Sequence, residues 1–476
     1  MPPGSLPAVP ALERTVDAVL IGGGGASYPA AVELARAGLK VLLVDDKGLL
    51  GGVCLYAGCV PSKAIRDQAL KVRDAASLGL RVDPDELWAK IVEFKDRVQA
   101  EMFRQLSWLI KQYPDSLTFV KGWATIRGAN RVEVSTEEGP LTVNARYIHI
   151  GAGSVSAPLK VPGGEGVRTS DWLYEYRRSA ASLPDSVVIV GAGYIGVEAA
   201  EWMSLLGVKV TLVEMMDRPL PTAPLDISRA ALRHLQKLGV DVLLGARVST
   251  IAREGGQVRV RAVREGGEAV ELTSDEVIAA VGRRPRLEGY GLESLVAEGL
   301  EVRNGAISVD EGMRTSLANV YAAGDVTGGP MLYHAALKES LVAARNMLLG
   351  RKAYSMNPRT VPFVIYTYPE LAYVGYTEEE LKAMGIKYEV VRYSMKANSY
   401  SVIKGHTDAW VKFVVEPSSG AILGAQAYSV DAASIVTAAA LAMEGGMRSS
   451  DLYWLAAPHP SALEALDEAF RSHQGT

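Results

Sequence analysis

The chain has 476 residues, 48% of them hydrophobic and 22% charged, with a formal net charge of −4. That length exceeds what one hydrophobic core serves and suggests roughly three domains. The mild charge gives no electrostatic reason to expect nucleic acid or an acidic membrane surface as a partner, and two cysteines are too few for a secreted disulfide scaffold or a zinc site.

Residues 1–14 are rich in proline and lack a charged segment followed by an apolar run, so they are expected to form a frayed arm and not a targeting signal. The run VLI at 19–21 reads as a buried strand leading into GGGGAS at 22–27. A helix to Ala37 follows, Gly38 caps it, and a second strand at 41–44 ends before Asp45. Gly22 and Gly24 suit a tight turn and close approach to a pyrophosphate, while Ser27 stands where a third glycine is expected.

Residues 51–63 (GGVCLYAGCVPSK) hold Cys54 and Cys59, with a helix expected from Val53 onward and Pro61 in its early turns. In a regular α-helix, residues five apart have Cα atoms roughly 8.6 Å apart, beyond the ~7 Å limit for a disulfide. Pairing therefore requires a distorted turn, for which Gly58 and Pro61 offer the means. A helix N-terminus and Lys63 both favour a thiolate, so the pair reads as a working redox couple. The plainer alternative is two small buried hydrophobes close by chance.

The strand–glycine turn–helix–strand unit then recurs. VVIV at 187–190 leads into GAGYIG at 191–196, a helix runs to Leu206, Gly207 ends it, and a strand at 208–213 precedes Glu214. Gly191 permits the turn, Gly193 the approach to pyrophosphate, and Gly196 the packing of helix on strand. The helix N-terminus offers free N–H groups to phosphates. Glu214 can accept hydrogen bonds from ribose hydroxyls and repels a 2′-phosphate, favouring NAD(H). First glycine and acid are 23 positions apart in both copies (22 to 45, 191 to 214), which argues against a chance glycine-rich turn.

Further along, Asp325 follows Gly324 in VYAAGD at 320–325, as a helix cap or as a ligand contact. The weakly polar stretch 432–443 is interrupted by Ser434 and Thr437 and is too short to span a bilayer, so the chain is expected to be cytoplasmic. A lone histidine is usually a satisfied surface or core residue, but His459 precedes a proline and has Glu464 five residues on, a carboxylate able to fix its tautomer.

Residues 51–63 resemble the redox segment of the class I pyridine nucleotide–disulfide oxidoreductases, the flavoenzymes that include dihydrolipoamide dehydrogenases. The resemblance runs from about residue 15 to 470 and is carried further by IGAGS at 150–154, VGRRP at 281–285, VYAAGD at 320–325, VPFVIYT at 361–367 and the His459–Glu464 pair. It implies an α/β fold with two Rossmann-like dinucleotide-binding domains, for FAD and NAD, plus a C-terminal α+β dimerisation domain. The expected bounds are 1–158 and 286–350 for the FAD-binding segments, 159–285 for the NAD-binding domain and 351–476 for dimerisation, with 350–358 as the linker.

The cofactors implied are FAD, held by Gly22, Gly24, Asp45, Gly52, Lys63, Gly153, Gly324 and Asp325, and NAD(H), held by Gly191, Gly193, Gly196, Glu214 and Gly282. By resemblance Cys54 is the more exposed interchange thiol, Cys59 lies against the flavin, and Lys63 and Glu198 pair beside flavin and nicotinamide. His459, oriented by Glu464, acts as base from the partner subunit of a homodimer. The substrate implied is dihydrolipoamide, free or on a lipoyl domain of a 2-oxoacid dehydrogenase complex, with another small disulfide or an NADH-dependent oxidase or diaphorase activity as alternatives. Val53, Tyr56, Arg286, Ala457 and Leu463 depart from the residues usual in dihydrolipoamide dehydrogenases.

Overall fold

A computed structural model describes residues 12–80 and 84–473. Strands buried on both faces read as continuous apolar runs, and these build parallel sheets. In the first sheet, β1 (Leu12–Ile21), β2 (Val41–Asp45) and β3 (Leu117–Lys121) lie parallel in the order β3–β2–β1. Ala18, Val19 and Leu20 are fully buried. An antiparallel ribbon of β4 (Trp123–Gly128) and β5 (Arg131–Thr136) leads into β6 (Gly139–Ile150), which lies parallel to β1 with Ile21 opposite Ile150. The short strand Val320–Ala322 joins the far side of β6, so the chain returns to this sheet late in the sequence.

One expectation is corrected here. Leu12, Glu13 and Arg14, assigned to a frayed arm, pair with Leu141, Thr142 and Val143, because β6 is long enough to receive them. The rest of that arm, residues 1–11, lies outside the described residues.

The second sheet repeats the plan. Five parallel strands run in the order Asp241–Leu243, Lys209–Val213, Ser186–Val190, Glu276–Ala279, Arg168–Thr169. An antiparallel ribbon, Ala246–Glu254, Gln257–Arg264 and Ala269–Ser274, packs on it through Val248, Val258 and Val260. The chain leaves the first sheet along Ser154–Ser156 and comes back along Arg283–Pro285, and these two segments pair antiparallel, Arg283 opposite Ser156.

The third sheet is antiparallel throughout: Phe363–Ile365, Glu370–Gly375, Ile422–Ser429, Trp410–Val415, Glu389–Ser394. Helices Ala432–Glu444 and Ala465–His473 cover it, bringing Ile435, Val436, Ala439 and Phe470 into one core with Val411 and Phe413. Two Rossmann-like sheets and a C-terminal α+β unit are thus the architecture. Among the described residues no helix is long and apolar enough to cross a membrane.

Candidate active site

The two glycine turns share one hydrogen-bond pattern. In the first, Gly23 N donates to Asp45 Oδ2 (2.8 Å) and Lys47 N to Asp45 Oδ1 (3.0 Å). In the second, Ala192 N donates to Glu214 Oε2 (2.8 Å) and Met216 N to Glu214 Oε1 (2.9 Å). Each acid is thereby locked to its turn while each oxygen keeps a lone pair for a ligand. Burial pushes the Asp45 carboxyl above its usual range, against the Gly23 N–H that favours the charge.

The turns differ at the position of Ser27. A Cβ on Gly196 would stand 1.9 Å from Gly191 O, so only glycine lets the second helix, Tyr194–Leu205, start directly after Gly193. The serine cannot sit there, and α1 (Tyr28–Arg36) starts three residues later than its counterpart, at 28 and not 25. Ser27 is fully buried and donates to Ile21 O (3.3 Å). His149, also fully buried, donates through Nε2 to Ala26 O (2.6 Å), and burial pushes it down to about 4, so the ring is neutral at physiological pH.

The single helix expected around the cysteines is in fact two, α2 (Gly52–Ala57) and α3 (Cys59–Ser77), broken at Gly58. A Cβ on Gly58 would lie 2.9 Å from Val53 O and 3.2 Å from the Cys54 Cα, so the break closes tightly because residue 58 has no side chain. Both cysteines are free thiols. A hydrogen bond from Cys54 to Cys59 sets their order: it raises the Cys54 thiol, with burial adding to the effect, and lowers Cys59. Burial opposes the lowering at Cys59 and Lys63 assists it. Both cysteines line the cavity described below, Cys59 as the first residue of α3.

Lys63 Nζ lies 2.6 Å from Glu198 Oε2 and 4.6 Å from the centre of the Tyr366 ring, and Glu198 Oε1 accepts from Tyr366 N (2.9 Å). Burial pulls the Lys63 ammonium down, but Glu198 more than offsets this and holds it above its usual value. On the far side, Asp325 accepts from Ser154 Oγ, which in turn accepts from Arg283 Nε (2.8 Å). Glu339 Oε2 accepts from Gly324 N (2.6 Å) just before Asp325.

These groups surround one cavity of about 1980 Å³. It is lined by Cys54, Cys59, Lys63, Glu198 and every glycine and acid expected to hold a cofactor except Gly196, which packs behind its turn. His459 is not among the lining residues. It stands exposed, with Nδ1 2.7 Å from Glu464 Oε1, and Ser461 N donates to Glu464 Oε2 (2.9 Å). Burial pushes the Glu464 carboxyl up, but those two partners outweigh it and hold the group below its usual range.

Sequence reasoning missed several residues of this site. Gln99, fully buried, donates to Leu55 O and Tyr56 O (both 2.8 Å) and so holds the redox loop. Tyr56 donates to Glu175 Oε1 (2.7 Å) under the Lys47 ammonium. Tyr333 lies over Gly25, its hydroxyl 2.6 Å from that of Tyr28. Arg286 stacks on Trp123, 4.9 Å from the ring centre, and faces Asp46. Tyr56, inside the redox segment, and Arg286, just after VGRRP at 281–285, stood out in the sequence; Gln99, Glu175 and Tyr333 are distant from the motifs and carried no local signal.

The profile described as pyridine nucleotide-disulphide oxidoreductase matches residues 16–340, and that of the family's dimerisation domain matches residues 361–470. The chain belongs to the pyridine nucleotide-disulphide oxidoreductases. Among relatives of this oxidoreductase, dihydrolipoyl dehydrogenase 3 of Pseudomonas aeruginosa is 34% identical over 466 residues, covering 96% of this chain and 97% of that one. Leghemoglobin reductase of Vigna unguiculata is 32% identical over 463 residues, covering 95% and 86%. A Cu(II) complex of the HOCl-induced flavoprotein disulfide reductase RclA from Escherichia coli shares the fold with a TM-score of 0.85 and 28% identity, covering 97% of this chain and all of that one.

The oxidoreductase is therefore a flavoprotein of this class, with FAD and NAD(H) as its cofactors. The residues fit both. A Cβ on Gly52 would stand 2.7 Å from the Gly24 Cα, so the two segments of the first cradle approach this closely because residue 52 is glycine, and a Cβ on Gly193 would stand in open cavity with no atom within 4 Å.

Proposed function

We propose that this chain oxidises dihydrolipoamide, free or on a lipoyl domain, with NAD+ as the final acceptor. The observation that carries the reading is the Cys54–Cys59 pair at the Gly58 break, ordered so that Cys59 favours the thiolate and Cys54 the thiol. Names of relatives at 34% identity over nearly the whole chain support the substrate.

Gly22, Gly24, Asp45, Gly52, Gly153, Gly324 and Asp325 would hold FAD; Gly191, Gly193, Gly196, Glu214 and Gly282 would hold NAD(H). The flavin supplies two-electron transfer between thiolate and nicotinamide. His459, kept in one tautomer by Glu464, takes a proton from a substrate thiol. The resulting thiolate attacks Cys54 Sγ of the Cys54–Cys59 disulfide, and Cys59 leaves as a thiolate beside Lys63. His459 passes its proton to the departing Cys54 sulfur and takes that of the second substrate thiol, whose sulfur attacks the mixed disulfide and closes the substrate's own S–S bond. Lys63, fixed by Glu198, supports the negative sulfur without giving up its proton.

His459 stands outside the cavity of its own protomer, which supports a homodimer in which each subunit lends its histidine to the other. We place the work in the cytoplasm, in a 2-oxoacid dehydrogenase complex, with segments 1–158 and 286–350 around FAD, 159–285 around NAD(H) and 351–476 at the dimer interface.

The test compares wild type with Cys54→Ser and Cys59→Ser. Each variant is expected to lose dihydrolipoamide-driven NAD+ reduction while keeping NADH-driven reduction of ferricyanide, which needs no disulfide. Retained dihydrolipoamide turnover in either variant would overturn the proposal, and a wild type active only with ferricyanide or oxygen would assign the chain to the diaphorase or oxidase alternative. Glutathione disulfide and coenzyme A disulfide serve as competing substrates.

A further inference from the structure

The Lys63–Glu198 contact has a second, more deeply set counterpart that no step above uses. One helical turn further along α3 stands Arg66, and one turn further along the helix Tyr194–Leu205 stands Glu201. Glu201 is 1% exposed, and Arg66 Nε lies 3.9 Å from its Oε2. Glu201 Oε1 accepts from Tyr368 N (2.7 Å) and lies 2.7 Å from Nε2 of the buried His234, on the helix Leu225–Lys237. Arg66 Nη2 in turn donates to Thr367 O (2.6 Å). None of Arg66, Glu201 and His234 lines the cavity.

The two contacts are built alike. Each pairs a cation of the redox helix with a glutamate of the second helix, and each glutamate accepts a backbone N–H from residues 366–368, Tyr366 N for Glu198 and Tyr368 N for Glu201. They stand about 4.5 Å apart along each helix axis. A single contact leaves two helices free to pivot about it, whereas a second, offset along both axes, fixes their crossing angle. Apolar burial is non-directional and does not do this. Nor does docking alone call for charges: packed apolar side chains of similar size often replace a buried ion pair without loss of stability. Three groups converging on one buried carboxylate specify a position.

We infer that Glu201 is a positioning residue for electron passage between flavin and nicotinamide: with Arg66, His234 and the Tyr368 N–H it fixes the angle between the helix that starts at Cys59 and the helix that leaves the 191–196 turn. It acts through those two helices and touches no reacting group. Transfer between bound groups depends steeply on their placement, and a misplacement of about 1 Å can cost on the order of a hundredfold in rate. The inference rests on FAD and NAD(H) as cofactors and is independent of which dithiol is the natural substrate.

The test uses Glu201→Gln, which keeps the shape and the acceptor for Tyr368 N but removes the charge, and Arg66→Met, which removes the opposite charge. In the FAD-loaded enzyme, anaerobic bleaching of the flavin by NADH is followed by stopped flow, beside bleaching by dithiothreitol, a dithiol probe that enters through the cysteine pair. Each variant is expected to slow the limiting rate with NADH about tenfold at an unchanged Kd for NADH. The dithiothreitol rate is expected to stay as it was, because the FAD cradle and the cysteines both belong to the unit of the first sheet. The double variant is expected to be no slower than either single one, since the same contact is lost in all three. A second readout needs no cofactor: in the flavin-free protein the peptide carrying residues 366–368 is expected to exchange its amide hydrogens faster in Glu201→Gln, the Tyr368 N–H having lost a charged acceptor. An unchanged NADH rate, unchanged exchange, or equal slowing with NADH and dithiothreitol, as a merely loosened fold would give, would overturn the inference. If the expected pattern holds while the wild type fails to oxidise dihydrolipoamide, only the substrate reading falls.

Discussion

Replacing Gly58 with alanine tests the geometry on which the redox pair depends. The added Cβ would lie 2.9 Å from Val53 O and 3.2 Å from the Cys54 Cα. Both are backbone atoms, so neither can swing aside as a side-chain end would, and the α2–α3 break must open. Inserting one methyl group into a filled site costs about 1–3 kcal/mol. The direction of opening carries Cys54 away from Gly58 and hence from Cys59, toward the longer separation of an uninterrupted helix, which is too wide for a disulfide. The cost therefore falls mainly on the oxidised form. For a two-electron couple 30 mV corresponds to about 1.4 kcal/mol, so the potential of the pair is expected to become more positive by about 20–60 mV.

Equilibration in dithiothreitol redox buffers, followed by alkylation and counting of free thiols by mass, reads the potential directly. Gly38→Ala serves as the control. Gly38 has φ +88 but no atom within 4 Å of its would-be Cβ, so the change strains the backbone far from the cysteines and leaves the potential where it was. An unchanged or more negative potential in Gly58→Ala would refute the claim that the glycine break brings the two sulfurs together.

Lys63→Met removes a cation that helps hold Cys59 low, so the onset of Cys59 alkylation is expected to move to higher pH; an identical pH profile would show that Lys63 does not reach the sulfur. The same change leaves Glu198 with only the Tyr366 N–H and should cost about 1–3 kcal/mol in denaturant unfolding. Burial, with Asp325 nearby, pushes the Glu339 carboxyl up to about 7 despite the Gly324 N–H that favours its charge. The folded state then binds that proton more tightly than the unfolded chain, so its contribution is complete below the ordinary glutamate range and is lost as pH rises through about 7. Glu339→Gln is expected to be the more stable form at pH 8, by up to roughly 3 kcal/mol, and to show no gain at pH 4. Parallel stability curves for the two proteins would contradict this.

Much of the architecture could be read from local patterns. Glycines at 22, 24, 191, 193 and 196, apolar runs on either side and acids 23 positions on specify two nucleotide-binding units, because turn, helix start and acid are all fixed within a short stretch. The need for a distorted turn between the cysteines followed from helix geometry alone. The late start of α1 did not, since it depends on what a Cβ at position 27 would meet across the strand–helix contact. Gln99, Glu175 and Tyr333 escaped notice for a different reason: each reaches the site from a distant part of the chain, and nothing in its own neighbourhood marks it.

The Lys63–Glu198–Tyr366 contact ties a helix of the first sheet to a helix of the second and to the residue just after the strand that opens the third. Seen mechanically, it is a rivet through three bodies. A shift of the second nucleotide-binding sheet against the redox helix would load this contact at Lys63, one helical turn from Cys59, together with the Tyr56–Glu175 hydrogen bond.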